Sequence, residues 1–181
     1  MSEEPFFDGI FTCWEFNADL EQLIHQMKYS QMKNLARFFG KTAGEMLASC
    51  LNKDDFQIIL SLPLHKVRQR ERGYNQSEWI GAGLSEWTGI PILSKILLRK
   101  KYTQTQTGLS GEARQENVSD AFEVRHPERV RNLSVLIVDD VVTTGATMNA
   151  CARSLKEAGA ALVFGLALAR PVMVFECTSK I

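Results

Sequence analysis

Three segments in the carboxyl-terminal third constrain the fold most. Leu133 to Val138, apolar but for Ser134, reads as a buried strand. Ala146 to Ala158 places Met148, Cys151, Ala152 and Leu155 on one helical face and stops at Gly159. Ala161 to Ala169 is a second apolar strand. Strand, helix and strand of these lengths form a βαβ unit, and such units build parallel sheets covered by helices. Phe56 to Leu62, FQIILSL, ends at Pro63 and reads as a further buried strand. The expected class is α/β, with a central, mostly parallel, twisted sheet flanked by helices.

The rest of the chain fits around that unit. Phe11 to Phe16 reads as a short strand. Leu20, Leu23, Ile24 and Met27 recur at helical spacing, as do Leu35, Phe38, Phe39, Met46 and Leu47. Two helices are expected, broken near Ser30, the second ending near Asn52. The segment HKVRQRERGYNQ reads as a basic loop. A helix carrying Trp79, Ile80, Leu84 and Trp87 follows, stopped by Thr88-Gly89. Tyr74, Trp79 and Trp87 are expected in the core. Ile90 to Leu98 is apolar but interrupted. Residues 99–119 are polar, without clear period, and suggest a functional loop. Phe122 to Val124 and the final VMVFE read as short strands.

The 181 residues suit one domain with a real core, and 45% apolar with 23% charged residues suit a soluble protein. A formal net charge of zero weakens any reading of the whole surface as a nucleic-acid footprint. Of the four cysteines, Cys13, Cys50, Cys151 and Cys177, no two stand in C-x-x-C spacing, so a zinc ribbon has no support. Cys50 and Cys151 are expected on apolar helix faces as small hydrophobes. Without a signal peptide or an apolar run long enough to span a bilayer, the expected location is cytoplasmic. His25 and His126 receive no functional role.

The stretch VLIVDDVVTTGAT, Val135 to Thr147, joins the buried strand to the helix. In open α/β sheets ligands bind at the carboxyl ends of strands. A helix N-terminus offers unpaired N–H groups and partial positive charge, Gly145 allows close approach, and Thr143, Thr144 and Thr147 add hydroxyls; this suits a phosphate. Asp139 and Asp140 would repel a phosphate but accept hydrogen bonds from sugar hydroxyls. A sugar phosphate answers both halves. Side chains alternate along a strand, so only one acid is expected to point into the site. The plain alternative is a strand end with solvated acids and Thr143 or Thr144 as the helix N-cap.

On these residues the chain resembles type I phosphoribosyltransferases, whose phosphoribosyl-pyrophosphate (PRPP) motif is an apolar strand, two acids and TTGAT. PLHKVRQRERGYNQ, Pro63 to Gln76, and RKKYTQTQTGLSGEARQENVSDAF, Arg99 to Phe122, resemble the competence protein F (ComF) family. That family's PLxxxRxxxRGxNQ segment matches Pro63-Leu64, Arg68, Arg72-Gly73 and Asn75-Gln76. Its TxxQxGLxxxxRxxN segment matches Thr103, Gln106, Gly108-Leu109, Arg114 and Asn117. The resemblance spans roughly Leu20 to Arg170. Many members begin with a four-cysteine zinc module that this sequence does not show.

The resemblance implies a type I phosphoribosyltransferase fold in one domain, residues 1–181. Residues 11–52 would form a small N-terminal hood with the acceptor pocket, 56–170 the PRPP-binding core and 99–119 a flexible loop. It implies displacement of pyrophosphate from C1 of the ribose by an unidentified nitrogen acceptor, with Mg²⁺ as counterion. Asp139 and Asp140 would be catalytic, holding ribose hydroxyls directly or through Mg²⁺ and water. Thr143, Thr144, Gly145, Ala146 and Thr147 would hold the 5-phosphate. Leu64, His65, Lys66, Arg99, Lys100, Lys101 and Arg114 are the pyrophosphate candidates. Lys66, Arg68, Arg70 and Arg72 would line one side of an extended segment. A solvated loop, a pyrophosphate clamp and a nucleic-acid contact through Arg68, Arg70 and Arg72 all stay open there. Three functions also stay open: an enzyme, a PRPP sensor, and a catalytically silent module acting in DNA uptake or replication restart with protein partners and single-stranded DNA. A homodimer is a further open alternative.

Overall fold

In the computed structural model the described residues are 4–30, 32–51, 53–100 and 121–170. The expected strand VMVFE and most of the polar 99–119 segment, with Lys101 and Arg114, lie outside them.

The elements run β1 (Gly9–Glu15), α1 (Ala18–Tyr29), α2 (Lys33–Met46), β2 (Ile58–Ser61), α3 (Lys66–Arg72), α4 (Gln76–Thr88), β3 (Ile92–Leu93), β4 (Leu97–Arg99), β5 (Phe122–Val124), β6 (Ser134–Val141), α5 (Ala146–Glu157) and β7 (Leu162–Arg170). Five strands form one sheet in the order β1-β7-β6-β2-β3, every pairing parallel. β6 lies between β2 and β7, with Leu136 opposite both Ile59 and Phe164. β4 and β5 pair antiparallel in a separate hairpin.

Alternation along the strands sorts side chains into two layers. Val135 and Ile137 pack with Met148, Cys151, Ala152 and Leu155 of α5. Leu136 and Val138 face the other way, toward Leu20, Ile24 and Met27 of α1 and Ile80 and Leu84 of α4. A strand covered on both faces must be apolar at consecutive positions, which is why VLIV is unbroken. The segment expected as a hood supplies β1 to the edge of this sheet and α1 and α2 to one of its faces.

Several local expectations change. HKVRQRERG is not an extended loop. Its Lys, Arg, Gln and Glu residues favour helix, His65 caps the start through Nδ1, and left-handed Gly73 (φ 75°) ends it. Lys66, Arg68, Arg70 and Arg72 therefore do not share one side, because a spacing of two turns each about 200° from the last. Ile90 to Leu98 divides into β3 and β4, separated by Lys95 in the left-handed region (φ 62°). Cys50 is exposed rather than on a buried face, and Trp87 remains 37% exposed, whereas Tyr74 and Cys151 are buried. β6 runs through both acids to Val141 instead of stopping before them.

α2 and α4 cross at contact distance because glycines line the crossing. A Cβ added at Gly40 would strike the Ile80 carbonyl, and one at Gly83 would strike the Arg37 carbonyl. Backbone cannot yield as a side-chain tip can. Gly40→Ala and Gly83→Ala are each expected to destabilise the fold by at least ~2 kcal/mol, lowering Tm by roughly 4–8 °C in thermal denaturation.

Candidate functional site

The carboxyl ends of β2 and β6 lie side by side, since Ser61 pairs with Val138. The chain leaves β6 through Val142 to Gly145 and enters α5. Gly145 adopts φ 78°, a conformation glycine takes without strain, and the ring of Phe7 lies 3.7 Å from where a Cβ would stand. No side chain caps this helix start. Thr144 Oγ1 only accepts a long hydrogen bond, 3.3 Å, from the Ala146 N–H. Asp139 and the segment Val141 to Met148 line one open concavity of about 260 Å³. The structure thus brings Asp139, Thr143, Thr144, Gly145, Ala146 and Thr147 together at one pocket, with the turn's partial positive charge facing it.

The two acids diverge, as alternation requires. Asp139 is half-buried at the pocket, and its Oδ1 accepts from Ser77 Oγ (3.0 Å) and from the Asp140 N–H (2.9 Å). Asp140 is 4% exposed and does not line the pocket. Its Oδ2 accepts from Lys28 Nζ (2.9 Å) and Gln76 Nε2 (3.0 Å), and its Oδ1 from the Val141 N–H (2.8 Å). Burial first, then the charge of Asp140, pushes the Asp139 carboxyl up to about 7; the hydrogen bonds from Asp140 and Ser77 and the charge of Lys28 work against that rise.

The pyrophosphate candidates gather partly. Arg99, at the end of β4, is half-buried. Burial pulls its guanidinium down, as does the charge of Arg68, while Asp139 holds it up. The same Arg99 charge, after desolvation and ahead of Lys66, lowers His65. Arg99 therefore stands within electrostatic reach of Asp139 on one side and of Arg68 and His65 on the other. Leu64 is half-buried before α3, and Lys66 is exposed on its first turn. Lys100 pairs instead with Glu123 at 3.3 Å. Arg70 is exposed, and Arg72 donates to Gln76 Oε1 at 3.2 Å. Burial raises the Cys151 thiol well above its ordinary range, which keeps it a protonated small hydrophobe.

Sequence reasoning missed Lys28, Ser77 and the contact role of Gln76. Gln76 and Ser77 carried a signal: two polar residues behind the N-cap Asn75, on a helix otherwise packed on the sheet. Lys28 carried none, because a lysine near a helix C-terminus ordinarily serves the helix dipole. Among the described residues no cluster of three or more His, Cys, Asp or Glu could hold a metal by itself. No helix of the described residues is long and apolar enough to cross a membrane.

A family model described as phosphoribosyl transferase domain matches residues 55–170. The chain is 31% identical over 179 residues to competence protein F of Haemophilus influenzae, covering 93% of this chain and 76% of that protein. It is 32% identical over 166 residues to DNA utilization protein YhgH of Escherichia coli K12, covering 90% and 72%. Competence protein ComFC of Bacillus subtilis is 23% identical over 150 residues, covering 83% and 59%. The chain belongs to the phosphoribosyl transferase domain family and, within it, to the competence protein F family.

Asp139 is held above its unfolded-state value, so from about pH 4 to 7 the folded chain keeps a proton that the unfolded chain has lost. Stability consequently falls as pH rises through that window. Asp139→Asn, which cannot ionise, is expected to raise Tm over the wild type, with a gain that grows from pH 5 to pH 8 and reaches on the order of 1–3 kcal/mol. Thermal denaturation at both pH values checks this; a constant or shrinking gain contradicts it.

Proposed function

We propose that this chain binds PRPP at the carboxyl ends of β2 and β6 and transfers its 5-phosphoribosyl group to a nitrogen acceptor, releasing pyrophosphate. The observation that carries the reading is one concavity with a carboxylate, Asp139, at one side and an uncapped helix start, Thr143 to Thr147, at the other. The carboxylate accepts from ribose hydroxyls, and the turn donates to the 5-phosphate. The domain comprises the PRPP core of residues 56–170 together with the N-terminal strand and helices. The relatives' names support a role in competence and DNA utilisation.

In the reaction the C1–O bond to pyrophosphate breaks, its electron pair leaves with pyrophosphate, and an acceptor nitrogen bonds C1 and then loses a proton. Positive charge grows on the ribose ring as the bond stretches. Asp139, held by Ser77 and the Asp140 N–H, orients the hydroxyls beside that charge. Arg99, with His65 and Arg68 close by, supplies positive charge for the departing pyrophosphate. The residues fit Mg²⁺ in the way that ion usually binds, through one or two carboxylates, water and the ligand's own phosphates. Asp139 is the carboxylate that would hold it; Asp140, buried against Lys28 and Gln76, does not line the pocket. Bound Mg²⁺ would supply charge neutralisation on the pyrophosphate.

A second reading is a PRPP-binding module without turnover that acts in natural transformation or replication restart. The names of the relatives favour it, because they record DNA utilisation rather than a transferase activity. Calorimetric titration with PRPP, with and without Mg²⁺, tests the shared premise. Mg²⁺-dependent binding is expected, weakened roughly 10- to 100-fold in Asp139→Asn as charged hydrogen bonds are lost. Unchanged affinity in that variant contradicts the ribose assignment. Pyrophosphate release with a panel of bases and amines then separates enzyme from binder.

A further inference from the structure

Asp140 is the one acid of the pair that the pocket does not use. It is buried, and three groups hold its two oxygens: Lys28 from α1 at 2.9 Å, Gln76 from α4 at 3.0 Å and the Val141 N–H at 2.8 Å. The Gln76 amide cannot flip without loss, because its Oε1 accepts from Arg72 while its Nε2 donates to Asp140. The Arg72 guanidinium in turn lies 5.4 Å from the centre of the Tyr29 ring, one residue beyond Lys28. The last turn of α1, the end of α3 and the first turn of α4 thus close around one carboxylate.

That carboxylate is linked to the pocket through its own backbone. The Asp140 N–H donates to Asp139 Oδ1 at 2.9 Å, so the peptide that Asp140 anchors also sets the direction of the pocket acid. Lys28 acts at both levels. It fixes the Asp140 side chain on the face of the sheet that α1 and α4 cover. It also cancels one of two adjacent negative charges in a site meant for phosphates. Gln76 can do the first but not the second.

We infer that Lys28 is a positioning residue of the sugar-phosphate site: its ion pair with Asp140 fixes the peptide whose N–H holds Asp139 and offsets the second charge of the acid pair. The inference rests on the PRPP reading above. It assigns a binding role to the N-terminal helix α1, which lies outside the matched family segment of residues 55–170.

The experiment is calorimetric titration of the full chain with PRPP and Mg²⁺, each variant accompanied by its thermal denaturation. Lys28→Met is expected to weaken binding about 10-fold or more, while Lys28→Arg stays within about 3-fold of the wild type. The double variant Lys28→Met with Asp140→Asn is expected to bind no worse than Asp140→Asn alone, because both act through one pair. Lys28→Gln, which keeps a donor but not the charge, replaces Lys28→Met should the latter fail to fold, and is also expected to weaken binding. Wild-type affinity in the neutral variant alongside a lowered Tm would show a merely structural role and overturn the inference. Multiplying losses in the double variant would overturn it too. A wild-type chain that binds no PRPP overturns the proposed function itself, and is told apart because no variant is needed to see it.

Discussion

The site depends on how two carboxylates, adjacent in sequence, coexist at the end of a buried strand. Neither charge is cheap to bury, and together they repel. The strand's alternation separates them onto its two faces, and each face treats its acid differently. Asp140 receives a cation and an amide and becomes an anchor for three helices. Asp139 receives a serine hydroxyl and a backbone N–H, keeps contact with the pocket, and is left uncomfortable as an anion. A ligand that brings hydroxyl donors, or a cation, relieves that discomfort.

The helices must sit close to the sheet for this to work. α4 delivers Gln76 and Ser77 to the acids from its first turn, and its position is set by the glycine crossing with α2 and by Ile80 and Leu84 in the core beneath. Asn75 adds a tie: its Nδ2 donates to the Leu62 carbonyl at the end of β2, while its Oδ1 caps the helix at the Ser77 N–H. One asparagine therefore joins a strand end to a helix start. Phe7, ahead of β1, packs its ring beside Gly145 in the turn between β6 and α5.

Much of this was legible in the sequence for a simple reason: βαβ segments carry their periodicity locally. The strand and helix around VLIVDDVVTTGAT, the glycine stops at Gly89 and Gly159, and the expectation that one acid faces the pocket all follow from neighbouring residues. What failed depended on context. The alternating basic residues suited a strand by spacing but a helix by composition, and His65 and Gly73 supplied the caps that decided it. Lys28 lies more than a hundred positions from Asp140 in the chain, so no local pattern could pair them.

The central claim, offered as a proposal, is that Asp139 lies at the sugar site and that the Lys28–Asp140 pair holds the two acids in place. The most direct measurement is a crystal structure of the chain with PRPP and Mg²⁺. The account predicts ribose hydroxyls, or the ion they share, at Asp139, the 5-phosphate on the backbone of Thr143 to Thr147, and the Lys28–Asp140 pair intact. A structure in which the Lys28–Asp140 pair is broken, or in which the ligand sits elsewhere, would contradict it.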